Sequence, residues 1–569
     1  MKRKSLFLTL AVVLLTLFSC KPPKEFIDGL NVSVNPLEEH AGQVEVTIDG
    51  TFPNKYFTKK MTMTVTPVLK SKLTGEVIKA QPKTYQGEKV KGNDQVIKYK
   101  VGGKYSQTAK FDYKPGMESS ELYLQCVVVN GKKEYSLPEV KVADGVNITP
   151  LLVSVKPGTG DLSAAITPDK FQRIIEEKQD AEIRYLINQS TIRNSELKSD
   201  GIVALTKAIQ SVKDTTNREI KSMEISSYAS PDGTLDLNER LSNNRGKASS
   251  KYVERQMKKI KAEIDIDSKV TAEDWEGFQK LVESSSIEDK DVILKVLSMY
   301  SDPEQREKEI KNLAVAYKTI ADEILPQLRR SKMTLTINVI GKSDAEIDSI
   351  AKVDAKALNV EELLYAATLK KDLSGKAEIY TKVTEIYPNE ARGFNNLGMV
   401  RYEQGNVEEA GRCFAKALEL APKCPAINYN NGIIELANGN TSKAEEFFGN
   451  AGGVGKGLDY ANGVLAIQKA QYKKAVDLYA DSKSNNAALA NILNKNNTAA
   501  RNILDNIANP NATTYYLKAI VSARTNDAKG VVDNLKKAIE GNAEYKTKAA
   551  SDVEFISLAE NADFAAIVK

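Results

Sequence analysis

The sequence predicts a multidomain protein with an N-terminal antiparallel β-sandwich, a central α/β sandwich with a helical insertion, and a C-terminal α-solenoid. Three observations indicate this order. The chain has 569 residues, which is too long for a single hydrophobic core. Short alternating strands, separated by turns rich in Gly and Asn, fill residues 31–150 and favour an immunoglobulin-like sandwich. From 355 to 569 a helix–turn–helix pattern recurs with a period of about 34 residues.

The clearest repeat covers residues 391–422. Small residues stand where two helices touch, Gly405 allows the tight turn, and Pro422 ends the second helix. The positions that match are Phe394, Leu397, Gly398, Tyr402, Gly405, Ala410, Phe414, Ala417 and Pro422. This spacing resembles the tetratricopeptide repeat (TPR), apart from Arg401, where the family usually has an aromatic residue. One repeat cannot bury its own apolar face, so degenerate neighbours and a C-terminal capping helix are expected.

The TPR resemblance implies a concave groove lined by the first helix of each repeat. Asn396 and Asn430 occupy the same slot in successive repeats, where an asparagine in this family often holds a peptide backbone. Its amide group both donates and accepts hydrogen bonds. Asn395, Arg401 and Tyr429 lie nearby. We predict that these five residues form a protein-binding groove; the alternative is a set of solvated residues without a single partner.

The central domain, predicted over 151–347, contains a strand, a Gly turn and a helix that resemble the peptidoglycan-associating domain of the OmpA family. The matching residues are Gly233, Asn238, Leu241, Ser242 and Arg245. In that family an Asp and the helix Arg hold the diaminopimelate of the stem peptide. Ser230 replaces the Asp here, and Asp232 lies two places away. A helical insertion is predicted over about 262–326.

The OmpA resemblance makes Arg245, Asp232, Asn238 and Ser230 candidates for peptidoglycan binding. One guanidinium still holds a carboxylate in a bidentate manner. The alternative is that Arg245 only fixes the turn, by pairing with Asp232 or Glu239.

Residues 1–19 are predicted to be a lipoprotein signal peptide. Basic residues precede an apolar run that is too short to span a membrane. The run ends in Leu-Phe-Ser-Cys, which resembles the bacterial lipobox, so Cys20 is predicted to carry diacylglycerol and palmitate, with 20–30 as a tether. Ordinary cleavage beside a stray cysteine is the alternative.

The lipobox resemblance implies an outer-membrane lipoprotein of a Bacteroidetes-like Gram-negative bacterium. Surface-exported members usually carry an acidic cluster after the cysteine. Only Glu25 is close to Cys20 here, which favours the periplasmic face; the cell surface is the alternative.

The composition argues against catalysis. A single histidine, His40, opposes His-based catalysis and His-ligated zinc. The four cysteines show no paired metal spacing, and a net charge of +5 does not indicate nucleic acid as a partner. We predict no catalytic residue, metal site or cofactor.

These features predict a non-enzymatic, lipid-anchored envelope scaffold that binds protein partners through its TPR groove, with peptidoglycan as a second candidate ligand. The alternative is a surface-exposed adhesin or nutrient-capture lipoprotein that uses the β-sandwich.

Overall fold

A computed structural model describes residues 33–34, 37–40, 42–156, 162–287 and 289–569. The predicted signal, Cys20 and the tether lie outside these residues. The chain divides into two compact units: Met1–Asp169 together with Leu363–Lys569, and Lys170–Glu362. No helix within the described residues is both long and apolar enough to cross a membrane.

The N-terminal part of the first unit consists of two β-sheets. In one sheet β3 pairs with β1, β2 and β8; the other has the order β10-β9-β4-β6-β7, with β11 on β9 and β5 on β4. Alternate side chains enter a shared core, where the rings of Phe52, Tyr85 and Tyr105 lie 5.2–6.2 Å apart. The predicted N-terminal β-sheet region is therefore present. The strands are β1 (Ser33–Val34), β2 (Glu38–His40), β3 (Gln43–Phe52), β4 (Met61–Ser71), β5 (Val77–Lys79), β6 (Lys83–Gly87), β7 (Gln95–Ile97), β8 (Gly103–Asp112), β9 (Ser120–Asn130), β10 (Lys133–Ser136) and β11 (Val140–Asp144).

The second unit is built on a four-stranded mixed sheet with the order β12-β15-β13-β14, in which β13 and β14 are parallel. Helix α1 turns Ile202, Leu205 and Ile209 toward the sheet, the spacing of one helix face. These side chains share a core with Met223 and Met333 of the sheet. The elements are β12 (Ile174–Arg184), α1 (Asp200–Asp214), β13 (Arg218–Tyr228), α2 (Leu235–Lys259), β14 (Ile266–Thr271) and β15 (Arg330–Ile340).

The insertion between β14 and β15 is helical and has its own small core around Phe278, Ile293 and Ile324. Its helices are α3 (Trp275–Ser284), α4 (Lys290–Met299), α5 (Pro303–Asn312), α6 (Ala314–Thr319) and α7 (Leu325–Leu328), and α8 (Asp344–Val353) follows β15. Strand β14 lies inside the segment predicted to be wholly helical. Five of its six residues are exposed, so it carries no apolar pattern that the sequence could reveal.

The C-terminal part of the first unit is a series of antiparallel helix pairs. Glycines occur where paired helices touch: a Cβ at Gly398 would lie 2.7 Å from the ring of Phe414, and one at Gly432 would lie 2.3 Å from that of Phe448. The repeat spacing therefore predicted the helix contacts. The helices are α9 (Val360–Thr368), α10 (Leu373–Ile386), α11 (Ala391–Glu403), α12 (Val407–Leu420), α13 (Pro425–Ala437), α14 (Thr441–Gly449), α15 (Lys456–Gln468), α16 (Tyr472–Leu478), α17 (Asn485–Leu493), α18 (Asn497–Asp505), α19 (Ala512–Arg524), α20 (Ala528–Gly541), α21 (Glu544–Ser551) and α22 (Ala562–Val568).

The β-sheet region and the helical repeats pack together within the first unit. The Glu554 carboxylate accepts hydrogen bonds from Asn147 Nδ2 at 3.2 Å, from Thr149 Oγ1 at 2.8 Å and from Arg524 Nε at 2.9 Å. Residues 151–169, which the sequence analysis placed in the central domain, also belong to this unit. Their position determines how the groove of the repeats is filled.

Candidate functional site

The concave face of the repeats carries asparagines in one repeated slot. Asn396 on α11 and Asn430 on α13 each stand two residues before a glycine that touches the paired helix. Two residues turn about 200° around a helix, so these side chains lie on the opposite, concave face. Asn486 on α17 stands in the same relation to the buried Ala488. All three asparagine side chains are buried.

The occupant of the groove is a segment of the same chain, which we name the strap: residues 153–156 and 162–168. Each asparagine amide holds both main-chain groups of one strap residue. Asn486 bonds Ser154 N at 2.9 Å and Ser154 O at 2.8 Å. Asn430 bonds Ala165 N at 2.7 Å and O at 2.8 Å, and Asn396 bonds Thr167 N at 2.9 Å and O at 2.8 Å.

Four neighbouring side chains complete this set of main-chain contacts. The hydroxyls of Tyr402 and Tyr429 donate to the carbonyls of Val155 and Ser163. Asn395 Nδ2 donates to Ala165 O at 3.0 Å, and its Oδ1 accepts from Asn430 Nδ2 at 2.8 Å. The Glu403 carboxylate accepts a hydrogen bond from the backbone of Ala164.

The strap also fills an apolar trough. Leu162 is 2% exposed and belongs to the core formed by Tyr402, Phe414, Tyr429 and Phe448. Val153, Val155, Ala164 and Ala165 pack against the same core. The strap is therefore part of the folded first unit.

Burial governs the electrostatics of the groove. It raises the pKa values of Tyr402 and Tyr429. It also raises the pKa of Tyr380, a residue of α10 that hydrogen-bonds the Asn396 side chain, to about 12. Burial also raises the pKa of Glu403, and the Ala164 backbone hydrogen bond partly offsets this. Hydrogen bonds in such a water-poor place are stronger than at the surface, and an unpaired amide there is costly.

Asn395, Asn396, Asn430 and Tyr429, four of the five predicted groove residues, converge on the strap. Arg401 does not join them. Its Nε lies 3.0 Å from Glu409 Oε1, and its NH1 donates to Gln404 Oε1 at 3.1 Å. The arginine therefore pairs across the two helices of its own repeat, which also explains why a cation is tolerated in a slot that usually holds an aromatic residue.

Sequence reasoning missed the strap, Asn486, Tyr402 as a donor, and Glu403. Asn486 had a detectable signal, because it stands in the same slot as Asn396 and Asn430. The strap had none: its contacts join residues more than 200 positions apart in the chain.

The central α/β unit places Arg245 in its interior, 1% exposed. The guanidinium donates to the carbonyls of Gln189 at 3.0 Å, Tyr228 at 2.9 Å and Leu186 at 3.5 Å, and it lies over the Tyr185 ring. Burial lowers the pKa of Arg245 to about 10. A ligand would have to displace these carbonyls to reach the guanidinium.

The other three peptidoglycan candidates are engaged in local contacts. Asp232 Oδ2 accepts from Arg329 NH2 at 2.9 Å, and Asp232 Oδ1 accepts from Ser230 Oγ at 2.5 Å. Asn238 Nδ2 donates to Gly233 O at 3.0 Å, which fixes the turn before α2. The expected pairing of Arg245 with Asp232 or Glu239 was wrong, because the guanidinium donates its hydrogen bonds to backbone carbonyls instead.

Comparisons with known proteins bear on the helical repeats. The tetratricopeptide repeat family matches residues 391–424. Solved structures similar to the chain include a tetratricopeptide repeat protein from Parabacteroides merdae, at 16% identity over 38% of this chain and 91% of that one, with a TM-score of 0.29. Another is YrrB, titled a TPR protein with an unusual peptide-binding site, at 20% identity over 30% of this chain and 94% of that one, with a TM-score of 0.23.

A third similar structure is Pseudomonas aeruginosa PilF, at 16% identity over 37% of this chain and 99% of that one, with a TM-score of 0.28. No curated protein matches the chain. The family match covers α11 and α12 and ends one residue before α13. The C-terminal region therefore carries TPRs, a repeat class that serves protein–protein interaction.

Asn430→Ala is expected to lower the free energy of unfolding by about 3 kcal/mol, because it removes two hydrogen bonds to Ala165 and one to Asn395, each contributing about 1 kcal/mol. Chemical denaturation measures this loss, and hydrogen exchange should show faster exchange of the Ala165 amide. Asn438→Ala is the matched control, since Asn438 is an exposed residue at the end of α13. Equal stability of the two variants would contradict the role of Asn430.

Arg245→Lys is expected to destabilise the chain by about 3 kcal/mol or more, because lysine cannot reach three carbonyls in a fork and each bond from a charged donor contributes about 1.5–3 kcal/mol. Arg240→Lys, at an exposed position on the same helix, is the control. Thermal and chemical denaturation provide the measurement. Loss of sacculus binding in Arg245→Lys with unchanged stability would instead support a ligand-binding arginine.

Proposed function

We propose that the protein is a non-enzymatic, lipid-anchored scaffold of the bacterial envelope that binds extended segments of protein partners in the concave groove of its TPRs. One observation carries the proposal: Asn396, Asn430 and Asn486 each hold both main-chain groups of one residue of an extended segment. A groove built in this way binds polypeptide.

Main-chain recognition explains why another segment fits in place of the strap. Every residue except proline offers one N–H and one C=O, so the amide of an asparagine bonds almost any extended chain equally well. A partner segment therefore enters by exchange with the strap, leaving the buried asparagines satisfied at the end of the exchange.

Competition with the strap sets the conditions for partner binding. A segment joined to its binding site has an effective concentration on the order of millimolar. A free partner with the same contacts would need a similar concentration to displace it. A partner succeeds when it makes further contacts, or when anchoring on the same membrane raises its local concentration. Lipidation at Cys20 would supply that second condition.

In this function Cys20 is the lipidated residue, and the protein lies on the periplasmic face of the outer membrane. The support is the sequence alone: the apolar run that ends at Cys20 and the lack of an acidic cluster beside Glu25. Two or three acyl chains hold a membrane stably, whereas one chain does so only marginally.

Peptidoglycan is a weaker candidate ligand for the α/β unit. The guanidinium of Arg245 is buried and donates to three carbonyls, and Ser230 and Asp232 bond each other. This unit is better described as a structural or interaction domain.

Cys20→Ala is expected to move the protein from the membrane fraction to the soluble fraction and to abolish incorporation of labelled palmitate. Ser19→Ala, which keeps a small residue before the cysteine, is the control. Protease treatment of intact cells then separates the two faces: the periplasmic assignment requires protection, and cleavage would place the protein on the surface. Unchanged membrane association of Cys20→Ala would contradict the anchor.

Partner binding is tested by placing a photo-crosslinking amino acid at Met399 in the native bacterium. Met399 is half-buried and shares a helix stripe with Asn395 and Tyr402, so it faces the occupant of the groove. We expect cross-links to a discrete partner protein, increased by Ala165→Pro, which removes the N–H that Asn430 binds, and unaffected by Ile166→Ala.

Lys416, exposed on the outer helix α12, is the control position for the cross-linker. Ala substitutions at both Asn396 and Asn430 should abolish the partner cross-link. If Met399 cross-links only to the strap of its own chain, even in Ala165→Pro, the groove serves only to bind that strap and the proposal fails.

A further inference from the structure

We infer that the groove selects its partners by a short linear motif: an aliphatic residue, then two small residues, then a threonine or serine, in the spacing Leu162-x-Ala164-Ala165-x-Thr167. The inference rests on the proposed function, because it names the class of partner segment that exchanges with the strap. The main-chain bonds explain why the groove holds a polypeptide; side-chain contacts at the same positions decide which one.

The hydroxyl of Thr167 is recognised in both of its hydrogen-bonding roles. Thr167 Oγ1 donates to Asn396 Oδ1 at 2.8 Å and accepts from Asn395 Nδ2 at 3.2 Å. The residue is 7% exposed. A site built around a hydroxyl strongly rejects an analogue that lacks it, because buried polar groups are left unpaired. Valine, with nearly the same shape, is therefore a poor replacement, whereas serine keeps both bonds.

The side chain of Leu162 is the apolar anchor of the motif. It lies in one core with Tyr402, Phe414, Tyr429 and Phe448, which are residues of the repeats themselves. Burial of an aliphatic side chain of this size is favourable, so the pocket favours a leucine or a similar residue at this position. A charged residue at this position would enter the core without a partner, so the groove discriminates against it.

The two alanines set a size limit between the anchors. Ala164 and Ala165 are partly buried against the same core, and both main-chain groups of Ala165 are bound by Asn430. A larger side chain would have to open a closely packed core, and overpacking is unfavourable.

The other positions between 162 and 168 impose no side-chain requirement. Ser163, Ile166 and Pro168 are exposed, and Ile166 has 46% of its surface accessible. Between Ala165 and Thr167 the alternation is that of an extended chain, in which successive side chains point to opposite sides. The motif therefore tolerates any residue at the position of Ile166.

The occupant is a segment of a different protein rather than the strap of a second copy of this chain. A second copy offers the same contacts as the internal strap but lacks its effective concentration of roughly millimolar. Only a segment with the motif and additional contacts of its own gains over the strap.

The test uses the full chain carrying Ala165→Pro and a fluorescent peptide of residues 161–169, DLSAAITPD. Fluorescence anisotropy compares this peptide with versions that carry Thr167→Ser, Thr167→Val, Leu162→Asp and Ile166→Lys. We expect the Thr167→Ser and Ile166→Lys peptides to bind within about threefold of the parent. The Thr167→Val and Leu162→Asp peptides should bind at least about tenfold more weakly, as expected for the loss of one or more buried contacts.

Equal binding of all five peptides would overturn the motif and leave main-chain recognition, and so the proposed function, standing. Failure of the parent peptide to bind a folded Ala165→Pro chain would overturn the exchange itself and the motif with it. If Ala165→Pro does not fold, the same changes are made in the strap of the otherwise native chain.

In that second series hydrogen exchange at residues 165 and 167 is the measurement. Thr167→Val should accelerate exchange at least about tenfold, while Thr167→Ser and Ile166→Lys leave it unchanged. Identical exchange in all three variants would overturn the motif.

Discussion

The pairing of an asparagine amide with both main-chain groups of one residue is the interaction on which the first unit depends. Asn396, Asn430 and Asn486 are all buried. Buried amides are tolerated only when their donors and acceptors are satisfied. The strap supplies those partners, and the asparagines in turn satisfy the strap, which lies outside any sheet or helix there. Groove and strap therefore stabilise each other.

This mutual dependence explains why distant parts of the chain form one unit. In the chain, the strap follows the β-sheet region and ends where the α/β unit begins. Its binding in the groove therefore brings residues near 150 into contact with residues near 400 and 490. Glu554 makes the second connection, by accepting hydrogen bonds from Asn147 and Thr149 while it pairs with Arg524. A further polar contact joins the same two parts, since the Tyr472 hydroxyl donates to Glu38 Oε2 at 2.8 Å. Leu152 and Leu162 also enter apolar cores built by the repeats, so polar and apolar contacts together connect the N-terminal and C-terminal parts.

The repeats could be predicted from the sequence because their contacts are local: Gly398 and Phe414 meet within one helix pair, and the period is visible in the residues. The concave positions of Asn396 and Asn430 follow from the same period. The strap could not be predicted, since no local pattern in Ser-Ala-Ala-Ile-Thr indicates that these residues bind in the groove of the repeats. The OmpA-like motif placed Arg245 on its helix, but it did not reveal the three backbone carbonyls that accept hydrogen bonds from the guanidinium. Strand β14 was missed because its exposed residues lack alternation.

A groove that is filled by its own chain imposes a thermodynamic condition on function. The strap binds with the advantage of attachment, so identical contacts offered in trans lose at ordinary concentrations. Main-chain bonds alone cannot overcome that advantage, because every extended segment supplies them equally. Discrimination must come from side chains, from contacts beyond the strap, or from confinement on a shared membrane. The strap offers small side chains and one buried hydroxyl, that of Thr167, so it excludes most other segments from the groove. Because few of its side chains are buried, a partner with additional contacts can bind better.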